Sequence, residues 1–315
     1  MIVAALDPDH PGETEIARFV ADWSEARGLK VEWLEGTPGR PSVIVTAPGS
    51  GGGKNLLLNA HMDTVGVKGM VDPFTPRIEN GRLYGRGAMD MKASLAACML
   101  VVAEASTMGL AGDVILTAVA DEEHDSIGTR ETLEHLLRTT RIDAAIVTEP
   151  SDLQIQIAHR GFVLFEVEFE GVASHTSQPE QGVNALNHLG RLLVAVEEFD
   201  AVLRRREAHP LVRHGSLQAV LASGGQELFT TPSSARVTLE RRTVPGEKAE
   251  DVLAEFEGLL AGSTVADPDV KATVRTLLAR QPFEVSPDEQ LVRVLGSAVR
   301  GVTGTTPELV GAPYW

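Results

Sequence analysis

The chain has 315 residues, more than a single core usually organises, so two domains are expected. Acidic residues outnumber basic ones 44 to 28, a formal charge of −16, which argues against a nucleic-acid or anionic-membrane surface because both need a positive field. One cysteine, Cys98, excludes an intramolecular disulfide framework and any cysteine-built zinc site, and fits a reducing, cytoplasmic setting.

Met1–Leu6 is too short for a signal core. Thr14–Arg27 has helical spacing, with Ile16, Phe19, Val20 and Trp23 predicted on one stripe and Gly28 as the stop. Strands are predicted at Val31–Leu34, Ser42–Thr46 and Asn55–Ala60, the last running into His61. Asp90–Ser106 reads as a helix; its apolar part, Ser94–Ala105, is too short to span a bilayer and is expected to be buried. Val114–Ala120 is a predicted strand ending at Asp121-Glu122-Glu123, Thr129–Thr140 a helix, and Ala144–Val147 a strand ending at Thr148-Glu149-Pro150. Strands alternating with helices imply an α/β layer with a mixed, largely parallel sheet.

Near Arg160 the pattern changes. Val163–Phe169 alternates like a half-exposed antiparallel strand. A helix over Gly182–Leu203, strands at Ser216–Leu221 and Ala235–Arg241, a helix at Lys248–Leu260 and a strand at Lys271–Leu278 follow. That order is the split βαβ pattern of a ferredoxin-like α+β domain, placed at 161–280. Ser286–Val302 reads as a helix rejoining the first layer, so residues 1–160 plus 281–315 form the other expected domain.

Three apolar strands thus end in imidazole or carboxylate groups: His61, Glu122 with Glu123, and Glu149. In open α/β sheets ligands bind beyond the carboxyl ends of strands. Asp90, after Gly85-Arg86-Gly87-Ala88-Met89, adds a fourth group. These nitrogen and oxygen donors suit zinc, cobalt or manganese better than copper(I) or an iron–sulfur cluster. In His61-Met62-Asp63 the outer residues face one side of an extended backbone, so Asp63 can sit behind His61 and fix its tautomer. A hydrolytic metal site also needs a carboxylate that takes a proton from water, and adjacent Glu122 and Glu123 can serve both tasks only where the strand has ended. Singly, each feature has a plainer reading. Asp90 can cap the following helix, Asp121-Glu122-Glu123 and Glu149 can be solvated turns, His175 a surface loop residue, and Arg242 an exposed charge at a strand end.

Taken in order, the motifs resemble the dinuclear zinc hydrolases that include acetylornithine deacetylase, succinyl-diaminopimelate desuccinylase, aminoacylase and carboxypeptidase G. The matching stretches are Asn59–Val65, Gly81–Lys92, Asp121–Glu123, Thr148–Pro150, Gly171–Thr176 and Glu240–Glu247, and they occur in the family's order across both expected domains. The resemblance implies a zinc-exopeptidase-like sheet domain with an inserted lid and dimerisation domain. It implies two divalent ions, zinc or cobalt. His61 and Glu149 would hold one ion, Glu123 the other, and Asp90 would bridge them. Asp63 would orient His61, Glu122 would be the general acid–base, His175 would stabilise the oxyanion, and Arg242 would bind a substrate carboxylate.

Two departures accompany it. Phe229-Thr230-Thr231-Pro232 stands where the family usually has an asparagine shortly before the proline. The family also continues beyond a stretch like Gly311–Trp315 to a late histidine of the second metal site, so the chain is expected to be a truncated form that holds that second ion weakly or not at all. The reading is a metal-dependent amidohydrolase, acetylornithine-deacetylase-like, acting on an N-acyl amino acid or small peptide with a free carboxylate. Its partners would be that small molecule and a second copy of the chain, with no nucleic acid and no membrane. The alternatives are a non-catalytic remnant that dimerises or binds a ligand, and a dipeptidase or carboxypeptidase on the same scaffold.

Overall fold

In a computed structural model, residues 12–262 and 271–315 are described. Met1–Leu6 lies outside them. The chain separates into two compact units, Met1–Asp152 and Leu153–Trp315.

The first unit begins with helix α1 (Thr14–Glu25), then strands β1 (Lys30–Leu34), β2 (Ser42–Ala47) and β3 (Leu56–His61). A small hairpin, β4 (Arg77–Glu79) and β5 (Arg82–Tyr84), precedes an irregular helical turn at Ala88–Lys92 and helix α2 (Ala93–Ala105). Strand β6 (Val114–Val119), helix α3 (Ile127–Leu136) and strand β7 (Ala144–Val147) complete it. The sheet order is β1-β2-β6-β3-β7. β1, β2 and β6 pair antiparallel, whereas β6, β3 and β7 run parallel. The sheet is therefore mixed, with its parallel part carrying the strand ends predicted to hold the site.

Period-two alternation sorts this sheet's side chains between two faces. Val43, Val45, Leu58, Ala60, Leu116 and Ala118 join one buried cluster with residues of α1 and α2. Ile44, Leu57 and Ile115 point the other way, onto Leu136 of α3. Two sequence expectations need correction. The buried stripe of α1 is Ala17, Val20, Ala21 and Ser24, and Phe19 is exposed because it lies about 200° around the helix from Ala17. Helix α2 buries Leu95, Cys98, Met99, Val102 and Ala105 but leaves Leu100 and Val101 exposed, so it packs along one stripe only.

The second unit opens with β8 (Ile155–His159) and β9 (Gly161–Glu170), then α4 (Ala185–Leu203), β10 (Ser216–Gly224), β11 (Ser234–Thr243), α5 (Ala249–Leu260) and β12 (Lys271–Arg280). The order β10-β11-β9-β12, antiparallel throughout, is the ferredoxin-like arrangement. Phe165, Phe169, Leu192, Leu239 and Phe256 lie in its core. Strand β13 (Phe283–Glu284), helix α6 (Gln290–Thr303) and strand β14 (Leu309–Ala312) follow. β13 and β14 flank β8, antiparallel and parallel respectively, so residues on either side of the 161–280 segment pair with each other. Among the described residues, no helix is long and apolar enough to cross a membrane.

One close approach sets the entry to α3. The Ala120 N–H donates to Ser42 Oγ at 3.1 Å, and its carbonyl accepts the Gly128 N–H at 3.2 Å. A Cβ on Gly128 would sit 2.4 Å from Ser42 Oγ and 2.5 Å from the Ala120 nitrogen. Gly128→Ala is therefore expected to destabilise the fold by about 1–3 kcal/mol through overpacking. Urea denaturation should show a lower midpoint at unchanged slope; an unchanged midpoint would contradict this packing.

Candidate metal centre

Because β6, β3 and β7 are parallel neighbours, their carboxyl ends share one edge of the sheet. His61 closes β3. Asp121-Glu122-Glu123 follows β6, and Thr148-Glu149 follows β7. Thr148 is fixed by its N–H and its hydroxyl, which both donate to the Asn59 carbonyl at 3.1 and 3.0 Å. That fixes where Glu149 leaves the strand.

Asp90 arrives differently from the sequence expectation. Its backbone is extended (φ −117°, ψ 101°), and α2 begins only at Ala93 with Lys92 as its N-cap. Asp90 and Met91 are joined by a cis peptide bond. Because α2 begins only at Ala93, Asp90 does not cap it, and its Oδ1 lies 2.9 Å from His61 Nε2. Gly87 starts this turn in the left-handed region (φ +77°), where a Cβ would meet the Lys92 ammonium at 2.6 Å.

His61 is buried, and its Nε2 also lies 3.7 Å from Glu149 Oε1 and 4.0 Å from Glu122 Oε2. Its Nδ1 faces Asp63 twice, the main-chain carbonyl at 3.1 Å and carboxylate Oδ1 at 3.4 Å. Asp63 is fully buried and has a second task that sequence reasoning missed. Its two oxygens accept the N–H groups of Glu122 at 3.2 Å and Glu123 at 3.1 Å. Glu123 Oε1 in turn accepts the Val65 N–H at 3.2 Å.

Two donor sets result. His61, Asp90 and Glu149 each offer a ligand atom within 4.8 Å of the others, and so do His61, Glu122 and Glu123. One imidazole nitrogen among carboxylate oxygens, with no sulfur, is a donor chemistry that fits a divalent metal ion.

The carboxylates crowd one another in partial burial. Burial, reinforced by neighbouring carboxylates, pushes Glu122 up to about 8 and Glu149 up to about 7, and raises Glu123. Burial opposes charge on His61, but the Asp63, Asp90 and Glu149 carboxylates outweigh it and raise the imidazole to about 11. Lys92, whose ammonium donates to the Met62 carbonyl at 3.1 Å, is lowered by burial to about 8. Lys92 stood inside a matching motif without a role. Glu13 and Arg40, which reach Asp121, carried no signal in the sequence.

The other two predicted site residues lie in the second unit. His175 is exposed; its Nδ1 lies 2.8 Å from Ser177 Oγ and accepts the Ser177 N–H. Its loop pairs with the stretch that departs from the family pattern: Thr176 N–H bonds the Phe229 carbonyl, and Thr231 N–H bonds the Ser174 carbonyl. In Glu240–Glu247 the two arginines divide. Arg241 is buried and pairs with Glu247 at 2.5 Å. Arg242 remains partly exposed, paired with Glu240, its guanidinium 5.2 Å from the centre of the Phe162 ring.

Residues 57–315 match the family described as Peptidase family M20/M25/M40. The chain belongs to this family. Solved M20-like structures share its fold. A tripeptidase from Staphylococcus aureus aligns with a TM-score of 0.73 at 19% identity, covering 97% of this chain and 81% of that one. An M20 family metallo-carboxypeptidase from Sulfolobus solfataricus gives 0.75 at 19%, covering 96% and 82%. A dinuclear metal-binding M20 peptidase from Bacillus subtilis gives 0.65 at 15%, covering 96% and 77%. M20 membership makes the chain a metal-dependent hydrolase by family, and the donor sets above are where its own residues can hold the metal.

The proton affinities give a pH test. After treatment with a chelator, folded protein keeps protons on Glu122 and Glu149 that the unfolded chain releases above the usual 4.5, and a proton on His61 that it releases above 6.5. The folded state then binds more protons than the unfolded state, so stability falls as pH rises. The thermal midpoint in chelator is expected to drop between about pH 5 and pH 8, the window set by Glu122 and Glu149, with the His61 contribution starting above 6.5 and continuing to be lost beyond it. A midpoint that rises across this window would contradict the geometry.

Proposed function

We propose that this chain hydrolyses the amide bond of an N-acyl amino acid or small peptide carrying a free carboxylate, in the manner of an acetylornithine deacetylase. The observation that carries the reading is the convergence at one sheet edge: His61, Asp90 and Glu149 form one donor set, and Glu122 and Glu123 approach the same imidazole from the turn after β6.

His61, Asp90 and Glu149 would hold one ion, and Glu123 together with Asp90 would hold another. No second imidazole lies in either donor set, so one ion is expected to bind tightly and the other weakly. When bound, the metal supplies Lewis acidity toward the scissile carbonyl and toward water. Glu122 is assigned as the group that accepts a proton from water and returns it to the leaving nitrogen. Burial keeps its proton affinity high enough to hold that proton near neutrality. Asp63 holds the His61 ring and the Glu122–Glu123 backbone in place.

His175 is assigned to the oxyanion and Arg242 to the substrate carboxylate, a task suited to a guanidinium fork. Both assignments rest on the motif resemblance. Residues 161–280 are proposed as a lid and dimerisation domain. β10, an edge strand with Val220 and Leu221 exposed, supports pairing with a second copy of the chain. Light scattering should then report a dimer that a Leu221→Lys change weakens, and a monomer at all concentrations would contradict the pairing.

Turnover of N-acetyl amino acids and dipeptides should disappear with a chelator and return with zinc or cobalt. Glu122→Gln is expected to lower kcat about 10²–10⁴-fold, the usual worth of a positioned acid–base, with tight-ion binding retained. Turnover insensitive to chelator, or a Glu122→Gln variant with the parent kcat, would overturn the assignment. The relative rates on acetylated and peptide substrates separate a deacylase from a dipeptidase.

A further inference from the structure

Adjacent Glu122 and Glu123 can face one centre only if the turn after β6 is held in an unusual path. Asp121 begins that turn at φ +63° and Ser126 closes it at φ +54°, its N–H bonding the Asp121 carbonyl at 2.6 Å. Both residues are in the left-handed region, which costs a non-glycine residue energy unless its surroundings fix it.

Three consecutive N–H groups in this turn are taken by buried side-chain carboxylates. Asp63 accepts those of Glu122 and Glu123. Glu13, fully buried at the entry to α1, accepts that of Asp121 through Oε1 at 3.3 Å. The same Glu13 oxygen accepts Arg40 Nη2 at 2.6 Å, and Arg40 Nη2 also donates to Asp121 Oδ1 at 3.0 Å. Glu13 is itself tied down, its N–H bonding the Gly39 carbonyl at 3.2 Å, one residue before Arg40. One glutamate thus grips the Asp121 backbone directly and its side chain through a guanidinium. Arg40 supplies the positive charge without which Glu13 and Asp121 would face each other as two buried acids. Neither Glu13 nor Arg40 lies in any of the motifs that carry the donors.

We propose that Glu13 and Arg40 are positioning residues: they lock Asp121 so that the turn directs Glu122 and Glu123 toward His61. The consequence for turnover rests on the hydrolase reading above; the consequence for the backbone does not.

The test uses the full chain loaded with zinc and three variants. Glu13→Gln keeps the reach and an accepting oxygen. Glu13→Asp keeps the charge but is one methylene too short. Arg40→Met removes the bridge. Amide hydrogen exchange across residues 120–128 is measured beside kcat and KM for N-acetyl amino acids and dipeptides. Glu13→Asp and Arg40→Met are expected to exchange faster at residues 121–123 and to lose about 10–100-fold in kcat, the usual cost of removing an outer partner of a metal centre, with KM unchanged. Glu13→Gln should match the parent in both readouts. The proposal is overturned if Glu13→Asp exchanges and turns over like the parent, if Glu13→Gln is damaged equally, or if the loss falls on KM. Should Arg40→Met fail to fold, the Glu13→Asp and Glu13→Gln pair decides alone. Should the parent chain show no turnover, the hydrolase reading fails and the exchange pattern still decides this proposal.

Discussion

The centre depends on one buried carboxylate. Asp63 has no solvent exposure, and a charge in that position persists only if hydrogen bonds replace its water. It obtains them from the His61 ring and from the N–H groups of Glu122 and Glu123. These bonds hold its carboxyl below the usual carboxylate range although burial acts in the opposite sense. The same group therefore sets the orientation of the imidazole on β3 and the path of the chain leaving β6. Donors separated by about sixty residues are referred to a single pair of oxygens.

The sheet makes this economy available. Parallel pairing of β6, β3 and β7 brings three chain exits to one edge, and interior side chains on both faces keep those strands from shifting. Register matters because a slip by one residue would turn His61 to the opposite face. The Asn59 carbonyl accepts both donors of Thr148, so the exit of β7 is also referred to β3. Asp90 reaches the centre through an irregular helical turn in which its own backbone is extended, and it lies beside His61 there.

Much of this was legible in the sequence, for identifiable reasons. Long apolar strands such as Val114–Val119 and the helix–strand alternation of the second unit leave strong periodic signals, and the ferredoxin-like order follows from them. The candidate donors His61, Asp90, Glu123 and Glu149, and Glu122 as candidate acid–base, could be picked out because each sits where an apolar run stops or beside a glycine-rich turn. What was hidden depends on tertiary contact. Ala-Met-Asp-Met-Lys reads locally as helix, yet Asp90 is drawn out of helical geometry beside His61. The three-residue strands Arg77–Glu79 and Arg82–Tyr84 are exposed on every residue and leave no alternating pattern. Glu13 and Arg40 act across separations of 108 and 81 residues, which no local spacing reveals. Arg241 and Arg242 are adjacent and chemically identical, and only packing shows that the first belongs to the core.

The most direct test of the account is an anomalous difference map at the zinc edge from crystals of this chain grown with zinc. The account predicts a strong peak bounded by His61, Asp90 and Glu149. Strong density elsewhere on the chain, with none among these three side chains, would contradict it.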